Sequence, residues 1–193
     1  MVAIRAAAVG EAAVADDGEL ALVVPALSVD ELCRRVHPRL VGALRLYLGD
    51  AELARELAQD TLVRVVERAP EVTAMERPDA WAFRVAFNLA RSRLRRLGAE
   101  RRAHARSGPA PAEARPVDVA GAVAVQRALA LLPPRQRQAV VLRFYGDLSL
   151  AEVASAMGCR PGTVKAHLHQ GLAALRGAGL ADDDTDPALE EPT

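Results

Sequence analysis

One row of side chains in the sequence is suited to binding opened DNA. Its members follow one another at steps of three, four, three and four, which places them on one face of a helix: Trp81, Arg84, Asn88, Arg91 and Arg95. Arginines neutralise phosphates, an amide can hydrogen-bond base edges, and an aromatic ring can support an unstacked base. The pattern favours a nucleic-acid-binding face. For Trp81 alone, an anchor in the core of its domain is the favoured alternative.

A second polar group lies near the start of the last helix that the sequence predicts. A short helix, the tight turn Cys159-Arg160-Pro161 and a longer helix form a helix-turn-helix pattern, whose second helix enters the major groove of DNA. That helix carries Thr163, Lys165, His167, His169 and Gln170. Base reading is the leading interpretation, and simple solvent exposure is the alternative for the two histidines. They do not form a metal pair, because residues two apart point to different sides of a helix.

The charge distribution supports a polyanion-binding face. The net charge is +0, yet eight arginines lie between Arg84 and Arg106 against one acid, Glu100. The tail from Leu180 carries only acidic charges. A zero total therefore hides a basic segment and an acidic tail, and such asymmetry indicates a nucleic-acid partner.

Motifs for catalysis or metal binding are missing from the sequence. There is no Gly-rich phosphate loop, no zincin-type histidine pair and no recognisable nucleophile motif. Two cysteines, Cys33 and Cys159, match no metal-ligand spacing. We therefore expect no enzymatic activity, no metal and no cofactor.

The elements that must position these side chains are helices. Apolar residues make up 51% of the chain and aromatic residues only 3%, so the cores must be built from Leu, Val and Ala, which suit packed helices. Three helices are predicted first: a capped helix from Ser28 to Leu48, a second from Asp50 to Pro70, and a third from Pro78 to Leu97 that Gly98 ends. Four more follow: from Asp118 to Leu132, from Arg135 to Tyr145, from Ser149 to Gly158, and from Pro161 to Arg176.

These helices predict an all-α protein of two small helical domains joined by a flexible linker. The expected division is a disordered N-terminal extension over 1–27, a three-helix domain over 28–98, a Pro/Gly-rich linker over 99–117, a helix-turn-helix domain over 118–179 and an acidic disordered tail over 180–193. The start is a poor signal peptide and no apolar run approaches the ~20 residues that span a bilayer. We expect a cytoplasmic protein without membrane insertion.

Several motifs together resemble the extracytoplasmic-function sigma factors of bacterial RNA polymerase. Three segments closely resemble region 4 of that family: Leu132-Pro133-Pro134-Arg135-Gln136-Arg137-Gln138, Gly146-Asp147-Leu148-Ser149-Leu150-Ala151-Glu152-Val153-Ala154 and Gly158-Cys159-Arg160-Pro161-Gly162-Thr163-Val164-Lys165. Upstream, Glu56 to Leu62 is similar to region 2.2, and Trp81 to Leu94 to regions 2.3 and 2.4. The resemblance covers residues 28 to about 179.

The resemblance implies a factor that binds the polymerase core, recognises and melts the minus-ten element and reads the minus-thirty-five element. It implies core contact by Glu56, Gln59 and Asp60 and minus-ten contact by the third-helix face, with Asn88 at the flipped base. It implies minus-thirty-five contact by Arg160, Thr163, Lys165, His167 and Gln170. The implied partners are RNA polymerase core and promoter DNA, and an anti-sigma protein is left open as a third.

An autonomous helix-turn-helix regulator of the response-regulator type is the alternative, because Thr163 to Leu168 also resembles that family's recognition helix. Such a regulator usually carries an α/β receiver, whereas residues 28–98 predict three helices and an arginine face. A pure protein-interaction module is a third hypothesis, and it leaves the basic helix unexplained.

Overall fold

A computed structural model describes residues 27–105 and 120–177, and within these two stretches the chain forms helices and no strands. The all-α prediction is confirmed for this part of the chain. Residues 1–26, 106–119 and 178–193 lie outside the described residues. So do most of the predicted N-terminal extension, the greater part of the predicted linker, the proposed cap Asp118 and the acidic tail.

The first helix starts and ends, and the second helix starts, where their capping residues predict. The second helix ends at Glu67, before the predicted end at Pro70, which lies inside a further short helix. Helix α1, Val29–Leu48, begins after Ser28, whose hydroxyl accepts from the Glu31 N–H at 3.1 Å. It ends at Gly49, which adopts a left-handed conformation with φ 76°. Helix α2, Ala51–Glu67, begins after Asp50, whose carboxylate accepts two backbone N–H groups of the first turn at 3.0 Å each.

The third predicted helix is longer than the sequence indicated. A short helix α3, Ala69–Thr73, follows Arg68, and then α4 runs from Pro78 to Ala105. The prediction that Gly98 ends the helix is wrong, and residues 99–105, assigned to the linker, are helical. A glycine inside a helix costs only about 1 kcal/mol relative to alanine. The Ala, Glu and Arg residues that follow are good helix formers, so α4 continues.

The first domain is built around α1, which packs against α2 and α4. Leucine and valine side chains of α1 and two phenylalanines of α4 are fully buried there: Leu32, Val36, Leu40, Leu44, Phe83 and Phe87. Asp79, in the first turn of α4, accepts from Arg35 at 2.7 Å and from Arg39 at 2.8 Å. These ion pairs fix the start of α4, and therefore the face that follows it, relative to α1.

The second domain contains the predicted helix-turn-helix. Helices α5, Ala120–Leu131, and α6, Pro134–Val140, precede a single π-helical turn, Val141–Tyr145, which ends the predicted helix Arg135–Tyr145. Helix α7, Leu150–Met157, has a complete capping box between Ser149 and Glu152 and ends at Gly158 with φ 64°. Helix α8, Pro161–Gly177, then packs on α6 and α7.

The two domains contact each other through α7, which packs on α4, and through the π-helical turn, which packs on α1. The π-helical turn ends at Gly146, whose N–H donates to the Val141 carbonyl at 2.9 Å. A Cβ at Gly146 would lie 2.6 Å from the Leu142 carbonyl oxygen. The backbone itself therefore excludes a side chain at this position.

We expect Gly146→Ala to lower the free energy of unfolding by about 1–3 kcal/mol, the usual range for an added methyl group that forces backbone shifts. Gly162→Ala is the matched control, because a Cβ there meets nothing within 4 Å and alanine is the better helix former. Urea titration followed by circular dichroism measures both variants. Equal stability of the two would contradict the steric role of Gly146.

Candidate nucleic-acid interface

An open groove of about 740 Å³ lies between α2 and α4. Helix α4 contributes Trp81, Arg84, Val85 and Asn88. Helix α2 contributes Asp60, Val63, Arg64 and Glu67, and Arg68 follows directly after α2. The structure thus brings together three members of the predicted arginine face and one residue predicted to contact the polymerase core. Asp60, predicted only to contact the polymerase core, also lines this groove.

Trp81 fits both interpretations of the sequence. Its side chain is partly buried and packs against the hydrophobic core, while part of it lines the groove. Arg84 and Asn88 are exposed beside it. Packing against its own domain already restricts the indole. A base that stacks on the indole therefore costs no further side-chain conformational entropy.

Arg64 and Arg68 were not singled out from the sequence, although both line the groove. Asp60, Arg64 and Glu67 follow steps of four and three, which places them on one face of α2. That spacing was available in the sequence. What the sequence does not contain is the side-by-side placement of α2 and α4, which turns two helix faces into one groove.

Arg91 and Arg95 do not line the groove with the rest of their predicted face. The Arg91 guanidinium donates to the Asn88 side-chain oxygen at 3.2 Å and to the Met157 carbonyl in the second domain at 3.4 Å. Arg95 is exposed and donates to the Ser92 hydroxyl at 3.3 Å. The face on α4 is therefore divided between the groove and the contact with α7.

The three residues predicted to contact the polymerase core are all exposed on α2: Glu56, Gln59 and Asp60. Val63 and Val66, one turn further along, are 56% and 57% exposed. The opposite side of α2 carries the buried residues Leu57, Ala58, Thr61 and Val65. An exposed surface with both polar and branched apolar side chains can contact another protein.

The residues predicted on α8 do not share one face. At about 100° per residue, Thr163, His167 and Gln170 lie together, whereas Lys165 lies about 200° from Thr163 on the other flank of the helix. Between the two flanks, on the inner side, lies the buried stripe of Val164, Leu168 and Leu175. Arg160 is exposed in the turn before the helix, and the Gln170 amide oxygen accepts from Gln136 at 3.0 Å.

An arginine outside these faces fixes how the second domain meets the first. Arg137 of α6 donates to the Tyr47 carbonyl of α1 at 3.0 Å, and to the Ala130 and Leu132 carbonyls at 2.8 and 3.1 Å. Burial lowers the pKa of Arg137, and the neighbouring Tyr47 opposes that shift. Burial likewise raises the pKa of Tyr47, against the opposing effect of nearby arginines. Helix ends from both domains converge on one guanidinium.

Among residues 27–105 and 120–177, no group of three or more His, Cys, Asp or Glu side chains could hold a metal ion. Over the same ranges, no helix is both long and apolar enough to cross a lipid bilayer.

Comparison with known proteins identifies the two domains. Residues 32–100 match the family model for Sigma-70 region 2, and residues 122–175 match that for Sigma-70, region 4. The sigma-E factor of Streptomyces coelicolor is 30% identical over 164 residues, which are 85% of this chain and 93% of that protein. The ECF sigma factor SigM of Mycobacterium tuberculosis is 34% identical over 146 residues, which are 76% and 74% of the two chains.

The chain belongs to the ECF RNA polymerase sigma factors. Region 2 is thus the domain of α1 to α4, and region 4 is the domain of α5 to α8. A region 2 match in the first domain rejects the response-regulator alternative. The class of function is that of a sigma factor, which serves RNA polymerase in promoter-specific initiation.

Two solved structures share the fold. The sigma factor RpoE of Bartonella quintana, solved with the anti-sigma factor NepR, aligns with a TM-score of 0.64 and 22% identity, over 79% of this chain and 97% of that one. CnrH, solved with the cytosolic domain of CnrY, aligns with a TM-score of 0.53 and 21% identity, over 80% and 89% of the two chains.

Proposed function

We propose that this sigma factor binds the polymerase core through the exposed face of α2, melts the minus-ten element at the groove between α2 and α4, and reads the minus-thirty-five element with α8. The observation that carries the proposal is the groove. A fixed indole, an exposed amide and arginines line this open groove. Its volume of about 740 Å³ is large enough for a small ligand such as an unstacked base.

The groove residues divide the work of melting between charge and hydrogen bonding. Arg64, Arg68 and Arg84 lie where they can neutralise phosphates of the strands, a contribution that does not depend on sequence. Trp81 offers a stacking surface, which contributes about 1–3 kcal/mol per base in single-strand binding proteins. Asn88 can hydrogen-bond the edge of a base only after that base has left the duplex.

The polymerase-binding face on α2 adjoins this groove. Glu56, Gln59 and Asp60 are exposed, Val63 and Val66 extend the surface, and Asp60 and Val63 also line the groove. A partner bound on α2 would therefore border the melted strand. Core binding and minus-ten recognition are coupled through this shared edge.

On region 4, the two flanks of α8 have different tasks. Thr163, His167 and Gln170 form the side that reads base edges. Arg160 and Lys165 contact phosphates and fix the register of the helix in the major groove of the DNA. This division follows from the 200° separation of Lys165 and Thr163, about 3.6 residues making one helical turn.

The remaining roles complete the proposal. The protein carries out no chemistry of its own and acts in the cytoplasm, where the polymerase is found. Region 2 covers the match over residues 32–100 and region 4 the match over 122–175, and the family resemblance implies that the linker between the two regions enters the polymerase. An anti-sigma protein is a further partner, which the complexes of RpoE with NepR and of CnrH with CnrY support.

Asn88→Ala should impair open-complex formation on a fully paired promoter more than on a promoter with a pre-melted bubble that lacks the flipped base. The amide contributes only once the strands open, when it offsets part of an unstacking cost of a few kcal/mol. Permanganate footprinting on both templates measures the difference. Arg84→Ala is the control and should weaken both templates alike, because its phosphate contact precedes melting. Equal defects of Asn88→Ala on both templates would remove the amide from base recognition.

Lys165→Ala and His167→Ala should differ in their effect on region 4. Loss of the lysine should weaken binding nearly uniformly across sequences and reduce its salt dependence, whereas loss of the imidazole should cost about 1–3 kcal/mol and relax specificity at one position. Binding to a panel of single-base variants of the minus-thirty-five element separates the two patterns. Wild-type binding by both variants would reject α8 as the reading helix.

A further inference from the structure

A hydrogen bond between two glutamine side chains joins α6 to α8, the proposed reading helix. The Gln136 Nε2 atom donates to the Gln170 Oε1 atom at 3.0 Å, although the two residues are 34 apart in the sequence. Gln136 is the third residue of α6, which lies outside the helix-turn-helix formed by α7 and α8. A residue outside that motif therefore contacts a side chain that the sequence predicts at the minus-thirty-five element.

Gly171 allows α6 and α8 to approach closely enough for this bond. The glycine is buried, and α8 packs on α6 around it. A Cβ at Gly171 would lie 3.0 Å from Val140 Cγ2 and 3.5 Å from the Gln136 Cβ. Carbon atoms in contact are normally about 3.5–4.0 Å apart, so any side chain at Gly171 would press against α6. The close approach brings the preceding residue, Gln170, within reach of Gln136.

Gln170 also lies where a side chain of α8 can reach DNA. It is exposed, and it shares one flank of the helix with Thr163 and His167. At 1.5 Å per residue, Gln170 lies about 10 Å along the helix axis from Thr163. That distance is within the major-groove width of about 12 Å, so both residues can face base edges in one groove.

The bond to Gln136 restricts what the Gln170 amide offers to DNA. A glutamine amide carries one acceptor oxygen and an NH2 group with two donors, and rotation about its last torsion exchanges the two. An unrestrained glutamine can therefore present either group to a base. Because Gln136 donates to the Gln170 oxygen, the NH2 group is the part of the amide that remains for a base.

The four bases differ in the group that would meet this NH2 group in the major groove. Guanine and thymine present a keto oxygen, which is an acceptor, whereas adenine and cytosine present an amino group, which is a donor. An amide NH2 group binds the keto oxygen, but opposite an amino group it leaves two donors unpaired. An amide held in this orientation therefore discriminates keto bases from amino bases.

We propose that Gln136 is a specificity-determining positioning residue: it holds the Gln170 amide so that the NH2 group selects a keto base, guanine or thymine, at one position of the minus-thirty-five element. The inference rests on the proposed function, because it takes α8 as the reading helix. It adds the class of base that Gln170 reads and the residue of α6 that sets this class.

Single-base transitions test the proposal, because each exchanges a keto base for an amino base of the same ring size. Holoenzyme reconstituted from core polymerase and the full chain is bound to promoters that carry each transition in the minus-thirty-five element. We expect a keto preference at the position where Gln170→Ala loses its preference. Gln136→Ala should reduce that same preference about two- to tenfold, the range for one neutral hydrogen bond. In the Gln170→Ala chain it should have no further effect.

Gln136→Glu should reverse the preference. A carboxylate only accepts, so it should engage the Gln170 NH2 group and leave the amide oxygen for the base. The preferred base should then shift from keto to amino, whereas a purely structural role of Gln136 would lower affinity for all promoters alike. Gln126→Ala is the matched control on α5, since the Gln126 Nε2 atom lies 3.9 Å from a Cβ placed at Gly49, at the end of α1. It should leave every preference unchanged.

Failure of this inference is distinguishable from failure of the proposed function. If the wild-type holoenzyme shows no base preference anywhere in the element, α8 does not read it, and the proposed function and the inference both fail. If wild type discriminates but Gln170→Ala or Gln136→Ala keeps every preference, only the inference is overturned. A wild-type preference for an amino base at the Gln170 position, or an unshifted preference in Gln136→Glu, overturns it as well.

Discussion

Arginine side chains that donate to backbone carbonyls at helix ends and turns hold this molecule together across its two domains. Arg39, Arg77 and Arg91 of region 2 donate to carbonyls of region 4, and Arg137 of region 4 donates to the end of α1. Each bond gives a partner to a carbonyl that its own helix or turn leaves exposed. The relative placement of the proposed DNA-binding surfaces depends on these contacts.

The preference of guanidinium groups for anionic or partly negative oxygen explains these contacts between the two domains. The exposed carbonyls at the end of a helix carry partial negative charge, so they attract the guanidinium of an arginine on a neighbouring helix. Region 4 supplies such an end at Met157, the last residue of α7, whose carbonyl accepts from Arg91. Arg91, which the sequence predicts on the minus-ten face, is thus a contact between the two regions in this structure.

Local features of the fold were predictable from the sequence, and long-range ones were not. Helix α7 starts at the capping box of Ser149 and Glu152 and ends at Gly158. Both ends were predictable because capping depends on neighbours within four residues. The predicted helix end at Gly98 was wrong, because the small free-energy penalty of a glycine inside a helix is outweighed by the good helix formers around it. The placement of Lys165 and Thr163 on opposite flanks of α8 was also predictable, because it follows from the helical period of 3.6 residues. The groove and the Arg91 to Met157 bond required the tertiary arrangement, which no spacing of residues contains.

The most direct test of the central claim is run-off transcription with purified polymerase core, with and without this chain, on promoters selected from genomic fragments. We expect specific transcripts only when the chain is present. Gln59→Ala combined with Asp60→Ala should reduce them in parallel with weakened core binding, while the fold stays intact. A core that gives no specific transcript on any selected promoter in the presence of the chain would contradict the claim.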